Sequence, residues 1–322
     1  MPRFSLLLAA IAVLLSVAFE LFKSSDYIDE LHDRVFGPIE GRGLKTIADI
    51  KYGNPANDIK VGDLYLPINA GRTLRGRLPC IVLIHGGAWE KGSRHELDIW
   101  AQVLASKGFA VFNIDTRLLP SGGGFPRDIV DVRDAVSFIS RHAAEYGINP
   151  NMISTVGHSS GGHLALMAAY APYDGKFRSI DYPDCSTRVR AAASVSGVTD
   201  LLDPALSDLS VEIIVSYMNQ VPRTSANADI FASASPIQYA KRAVPTILIH
   251  GTRDKNVPLE QSQRMYDQLT KEKVPSHFLA IDGGGHMYFG RVVRLAMSAI
   301  ADFLNKETEP AGLTGSQPAQ VK

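Results

Sequence analysis

Five short runs in this chain, Cys80–His85, Ala110–Asp115, Ile153–Gly157, Ala191–Ser196 and Pro245–His250, are largely apolar and do not alternate with polar residues. A strand with one wetted face alternates. A strand that does not must be covered on both faces, as parallel strands inside an α/β sheet are. Thr46–Tyr52, Gly62–Leu66 and His277–Ile281 are further strand candidates. Between them lie helical patterns. Ile129, Val132, Val136 and Ile139 recur at helical spacing after Pro126; Gly161 to Tyr170 is apolar nearly all round; Leu259–Lys271 and Met287–Leu304 follow. The pattern predicts a mostly parallel, eight-stranded, doubly wound sheet with helices on both faces.

A chain of 322 residues can bury one large core, and no shift in composition divides its middle, so residues 46–306 are expected to form one domain. Alternation fails once. From Thr199 to Ala243 the chain is polar and proline-punctuated, too long for a simple connection, and reads as a small cap insertion. Before the domain, Arg3 precedes an apolar stretch from Phe4 to Phe19, short of the roughly 20 residues a spanning helix needs. With small residues at Ser16-Val17-Ala18, residues 1–22 are read as an export signal, with a membrane anchor as the alternative. The protein is then expected in the periplasm or secreted, or else attached to a membrane through residues 4–22. Residues 24–45 are a polar lead-in, and 307–322 hold so little to bury that a disordered tail is expected.

Composition narrows the chemistry. Lysine plus arginine equals aspartate plus glutamate, 33 against 33, so no net field draws the chain to nucleic acid. Small neutral or weakly polar ligands fit better. Cys80 and Cys185 could form one bridge in an oxidising compartment, but Cys80 lies in an apolar run where cysteine acts as a small hydrophobe. No cysteine or histidine cluster has metal-ligand spacing, and no metal or organic cofactor is expected.

The segment Gly157-His158-Ser159-Ser160-Gly161 follows a strand candidate and opens the buried helix pattern. A serine on such a turn projects its hydroxyl from the C-terminal edge of the sheet, while the helix N-terminus favours developing negative charge. Ser159 is therefore the candidate nucleophile. Upstream, His85-Gly86-Gly87-Ala88-Trp89 follows another apolar strand. A tetrahedral oxyanion needs fixed N–H donors, and Gly86, Gly87 and Ser160 are the candidates. Gly87 and Gly92 are spaced as in a phosphate-binding loop, but Ser93 stands where its lysine is required. Trp89 and His158 are expected to border the substrate.

A serine hydroxyl needs a base, and the base an orienting acid. With acid and histidine following the serine in chain order, His250, His277 and His286 compete for the base. His286 is preferred, because Gly283-Gly284-Gly285 places it on a loop after the last strand. Asp254, on the loop after Pro245–His250, is the first choice of acid; Asp200 is the alternative and Asp282 the weakest.

These segments, with Asp115-Thr116-Arg117-Leu118-Leu119-Pro120 and His250-Gly251-Thr252-Arg253-Asp254-Lys255-Asn256-Val257-Pro258, resemble those of the α/β-hydrolase superfamily. From about Tyr52 to Leu304 the chain looks like carboxylesterases and lipases with an HGG oxyanion motif. The similar branches are hormone-sensitive-lipase-like, feruloyl or acetyl-xylan esterase-like and kynurenine-formamidase-like hydrolases. Thr116, Leu119 and Ser160 depart from the first. The resemblance implies a Ser159–His286–Asp254 triad, no cofactor, and hydrolysis of a small-molecule ester through an acyl-enzyme. An activated amide is the alternative substrate, and a catalytically dead binding module the alternative function.

Overall fold

The computed structural model describes residues 43–53, 59–68, 77–173, 175–185, 188–286 and 291–308. Residues 1–22, the lead-in up to 42, and 309–322, where export, anchoring and disorder were expected, lie outside the described residues. Among the described residues, no helix is long and apolar enough to cross a membrane.

Eight strands form one sheet: β1 (Leu44–Lys51), β2 (Val61–Pro67), β3 (Leu78–Ile84), β4 (Ala110–Ile114), β5 (Ile148–His158), β6 (Ala192–Val195), β7 (Thr246–Gly251) and β8 (Ser276–Ile281). Their spatial order is β1-β2-β4-β3-β5-β6-β7-β8. β2 runs antiparallel to β1 and β4, and all other pairs are parallel. The α/β-hydrolase fold expected from the sequence is the one observed.

The missing alternation has the anticipated cause. Cys80, Val82 and Ile84 of β3 enter one core cluster, and Ile81 and Leu83 enter the other. Helices α2 (Arg127–Arg141), α3 (Ser160–Tyr170) and α6 (Leu259–Lys271) supply the first cluster; α1 (Asp98–Ser106) and α7 (Arg291–Thr308) supply the second. Every residue of α3 is buried. Burying side chains such as Leu164, Leu166 and Met167 stabilises the fold by roughly 1.5–3 kcal/mol each.

Register then places the site. Ile84 pairs with Gly157, His158 with Val195, Val195 with Ile249, and His250 with Ala280. The loops after β3, β5, β6, β7 and β8 therefore leave the sheet along one edge. The insertion after β6 contains α4 (Asp208–Tyr217), α5 (Ala228–Ser233) and two 3-10 turns.

Some boundaries differ from expectation. β5 starts at Ile148, because Ile148 pairs with Leu78 across a register irregularity that accommodates the turn-like Asn149-Pro150-Asn151. Helix α7 continues to Thr308, so residues 307 and 308 belong to it and not to a tail. Cys80 and Cys185 are not bridged to each other. Cys80 is buried in the core, where its thiol is pushed up by loss of solvent, and Cys185 Sγ lies near the Ser137 carbonyl.

Candidate active site

Ser159 bridges β5 and α3 with φ 54° and ψ −120°, a conformation costing of order 1–3 kcal/mol for a residue with a side chain. Neighbouring hydrogen bonds hold it there. Its amide donates to the Val195 carbonyl at 2.8 Å, and its carbonyl accepts from the His163 amide at 3.0 Å. Glycine is obligatory on both sides for lack of room. A Cβ on Gly157 would lie 2.1 Å from the Gly161 carbonyl oxygen, and one on Gly161 would lie 2.2 Å from those of Ile84 and His85. Any side chain at either position would push the helix off the strand.

The histidine and acid arrive from two other strand ends. His286, on the loop after β8, places Nε2 2.9 Å from Ser159 Oγ and Nδ1 2.8 Å from Asp254 Oδ2. A carboxylate oxygen facing Nδ1 fixes the hydrogen there, leaving Nε2 to accept from the serine hydroxyl. Asp254 lies on the turn after β7 with its side chain fully buried. Its Oδ1 accepts from the amides of Asn256 at 2.8 Å and Val257 at 3.0 Å. Burial alone would raise its pKa, but hydrogen bonds from His250, His286 and the Val257 amide outweigh that and hold the carboxyl well below the usual range.

These groups open onto a cavity of about 510 Å³. Gly86, Gly87 and Ser160 all border it. Gly86 lies close against the serine, since a Cβ there would sit 3.3 Å from Ser159 Cβ. Gly87 adopts φ +115°, open to glycine, and a Cβ would meet the Lys91 carbonyl at 1.9 Å. Trp89 borders the cavity while remaining 5% exposed, stacked on Tyr217 of α4 with ring centroids 4.3 Å apart. Ser207, Leu209, Ser210, Ile213 and Ile214 of the insertion form an adjacent wall, which the polar reading of that segment did not single out. The insertion therefore flanks the serine.

His158 also borders the cavity, but its ring is committed elsewhere. Burial pushes its pKa down to about 4, so at neutral pH it is an uncharged ring, and Nε2–H donates to the His286 carbonyl at 2.8 Å. It fixes the backbone of the histidine loop, a role that sequence spacing could not reveal. The other candidates are placed apart from the serine. Asp200 is held by the Arg264 guanidinium and accepts from the Leu202 amide. His277 is exposed on β8, and Asp282 accepts a long 3.4 Å bond from Thr252. His250 reaches Asp254 instead of Ser159. Elsewhere, Asp63, His95 and Asp98 bring possible ligand atoms within 4.8 Å of one another. The Arg94 guanidinium already donates to Asp63 there at 2.8 Å and supplies the positive charge.

Fold and geometry define an α/β-hydrolase. The BD-FAE family model matches residues 63–269, and the chain belongs to that family. A second model, TAP-like protein, matches residues 228–317. LipM of Mycobacterium tuberculosis, a probable carboxylic ester hydrolase, is 34% identical over 200 residues, covering 61% of this chain and 46% of its own. Esterase LipC of the same organism is 31% identical over 237 residues, covering 71% of this chain and 58% of its own. The chain thus spans about half the length of these curated relatives. Solved structures share the fold, two esterases among them. A truncated carbohydrate esterase from gut microbiota has a TM-score of 0.70 at 23% identity, covering 82% of this chain and 96% of the other. Esterase Est2 of Thermogutta terrifontis has a TM-score of 0.65 at 23% identity, covering 86% and 96%.

Proposed function

We propose that this chain is a carboxylesterase-type enzyme that hydrolyses small-molecule esters of short to medium acyl length. The carrying observation is the continuous hydrogen-bonded line from Ser159 Oγ through His286 to Asp254, at 2.9 and 2.8 Å. As Ser159 Oγ attacks the ester carbonyl, its proton passes to His286 Nε2. Asp254 keeps the other imidazole hydrogen on Nδ1 and stabilises the imidazolium. The oxyanion is stabilised by the amides of Gly86, Gly87 and Ser160, near the N-terminus of α3. Collapse expels the alcohol, which takes the proton from His286. Water then attacks the acyl-enzyme with His286 again as base, releasing the acid and restoring Ser159. These steps need no cofactor. The mycobacterial relatives, named as ester hydrolases, support the same reading.

Acyl preference rests on shape. Trp89 is pinned by Tyr217, and Leu209, Ile213 and Ile214 add an apolar wall, so the acyl group meets a bounded surface. Each methylene contributes about 0.8 kcal/mol only while it finds apolar surface to cover. The decisive experiment is a panel of p-nitrophenyl esters from acetyl to palmitoyl beside N-formylkynurenine. Turnover of the short esters, lost in Ser159→Ala, is expected. A protein that turns over only the formamide is an amide hydrolase, and one that turns over none of these substrates overturns the proposal.

A further inference from the structure

Asp254 receives two imidazoles, and the mechanism uses only His286. The second is His250 at the end of β7, whose side chain is wholly buried. Its Nε2 lies 3.2 Å from Asp254 Oδ2, the oxygen that faces His286, and 3.0 Å from the Val257 carbonyl. A carbonyl only accepts, so Nε2 carries a hydrogen; it bonds the Val257 carbonyl, and Asp254 Oδ2 lies beside it in a 3.2 Å charged contact. On the other side of the ring, Nδ1 lies 2.8 Å from Oγ of the buried Ser262 on α6. The ring is thus clamped between helix and turn. Val257 closes the loop: its amide donates to Asp254 Oδ1 while its carbonyl accepts from His250.

We propose that His250 is a positioning residue that holds the Asp254 carboxylate and its turn in the geometry that meets His286. The proposal rests on the esterase reading above. A carboxylate on a turn can rotate about χ1 and χ2, and the turn between Gly251 and Pro258 has exposed residues at Thr252, Arg253, Lys255 and Asn256. Those exposed side chains give the turn itself little packing, so the buried carboxylate depends on hydrogen bonds for its alignment. The amides of Asn256 and Val257 fix only Oδ1. The His250 N–H ties down the far end of the turn through the Val257 carbonyl while its ring lies against Oδ2, and it does so from the rigid edge of the sheet. Without it, the turn that carries the carboxylate would be held less firmly, and fewer molecules would hold the reactive alignment with His286. The loss falls on the chemical step, because His250 lies behind Asp254 and does not border the substrate cavity.

The test compares His250→Leu, which fills the site without a donor, with His250→Gln, whose side-chain amide restores an N–H at similar reach. Each is made in the full chain with and without Asp254→Asn, and assayed with p-nitrophenyl acetate. His250→Leu is expected to lower kcat by about 10–100-fold with KM changed less than about threefold, and His250→Gln to recover most of the loss. In the Asp254→Asn background, His250→Leu should cost little more, because the group it positions is gone. Far-UV circular dichroism and Tm verify that each variant is folded. An unaltered kcat in His250→Leu, equal losses in Leu and Gln variants, or additive losses in the double variant would overturn the proposal. If His250→Leu fails to fold, the Gln variant and its cycle with Asp254→Asn decide: near-normal kcat upholds the proposal and a loss like that of Asp254→Asn overturns it. An unmutated protein inactive on every ester would instead overturn the esterase reading.

Discussion

Replacing Asp128 by asparagine should change how stability depends on pH, by an amount set by its surroundings. Asp128 lies in α2, 1% exposed, beneath Tyr217 and hence behind the Trp89 wall of the cavity. Oδ1 accepts from the Ile129 amide at 3.0 Å, while Oδ2 has no partner among the described residues. Burial first, and the Asp131 charge second, push its pKa from 3.8 up to about 7. The native chain therefore holds a proton between pH 4 and 7 that the unfolded chain has released, and stability falls as pH rises through that window. Between pH 5 and 8 the loss comes to roughly 2–3 kcal/mol. Asp128→Asn cannot titrate. Its extra amide hydrogens add an offset, but that offset is the same at every pH. Urea unfolding of both proteins at pH 5, 6, 7 and 8 should show the variant gaining on the parent by that amount, with similar m-values. A difference that stays flat across the series would refute the reasoning.

Ser159→Ala should lower kcat by on the order of a thousandfold or more in a p-nitrophenyl acetate assay, with Tm little changed, because only a hydroxyl is lost. Asp254→Asn should cost about three to four orders of magnitude in kcat through the wrong imidazole tautomer, and Asp200→Asn far less; the reverse ranking would move the acid to Asp200. Across acyl lengths, kcat/KM should peak between acetyl and about hexanoyl, and a profile still rising at palmitoyl would mark a true lipase. If residues 1–22 act as the proposed export signal, N-terminal sequencing of the mature protein should find a start near Phe19, and an intact segment from Met1 to Glu20 would instead indicate an anchor.

What could be read from the residues was whatever steric or chemical necessity forces. Gly157 and Gly161 have no substitute where backbones approach within van der Waals contact, so the turn around Ser159 is written plainly. Chain order and loop placement favoured His286 and Asp254 over their rivals. Strand interiors were visible because burial on both faces removes alternation. Features that depend on distant partners were hidden. His158 reads as the variable position of a motif until the His286 carbonyl is seen 2.8 Å away. His250 and Asp128 look like any strand and helix polar residues, because spacing along one element says nothing of what another packs against it. The start of β5 was missed for the same reason: Leu78, 70 residues upstream, pairs with Ile148 despite the Asn-Pro-Asn that follows.

Dispersal of the proposed triad over the ends of β5, β7 and β8 has a consequence in time. Ser159 precedes His286 by 127 residues. At synthesis rates of about 5–20 residues per second, Ser159 leaves the ribosomal catalytic centre roughly 6–25 s before its proposed base has been made. Throughout that interval the serine is an ordinary alcohol. On the proposed mechanism the strained turn becomes reactive only when β8 closes the sheet edge and delivers the last loop, so a stalled or truncated nascent chain should carry no hydrolytic activity of this kind.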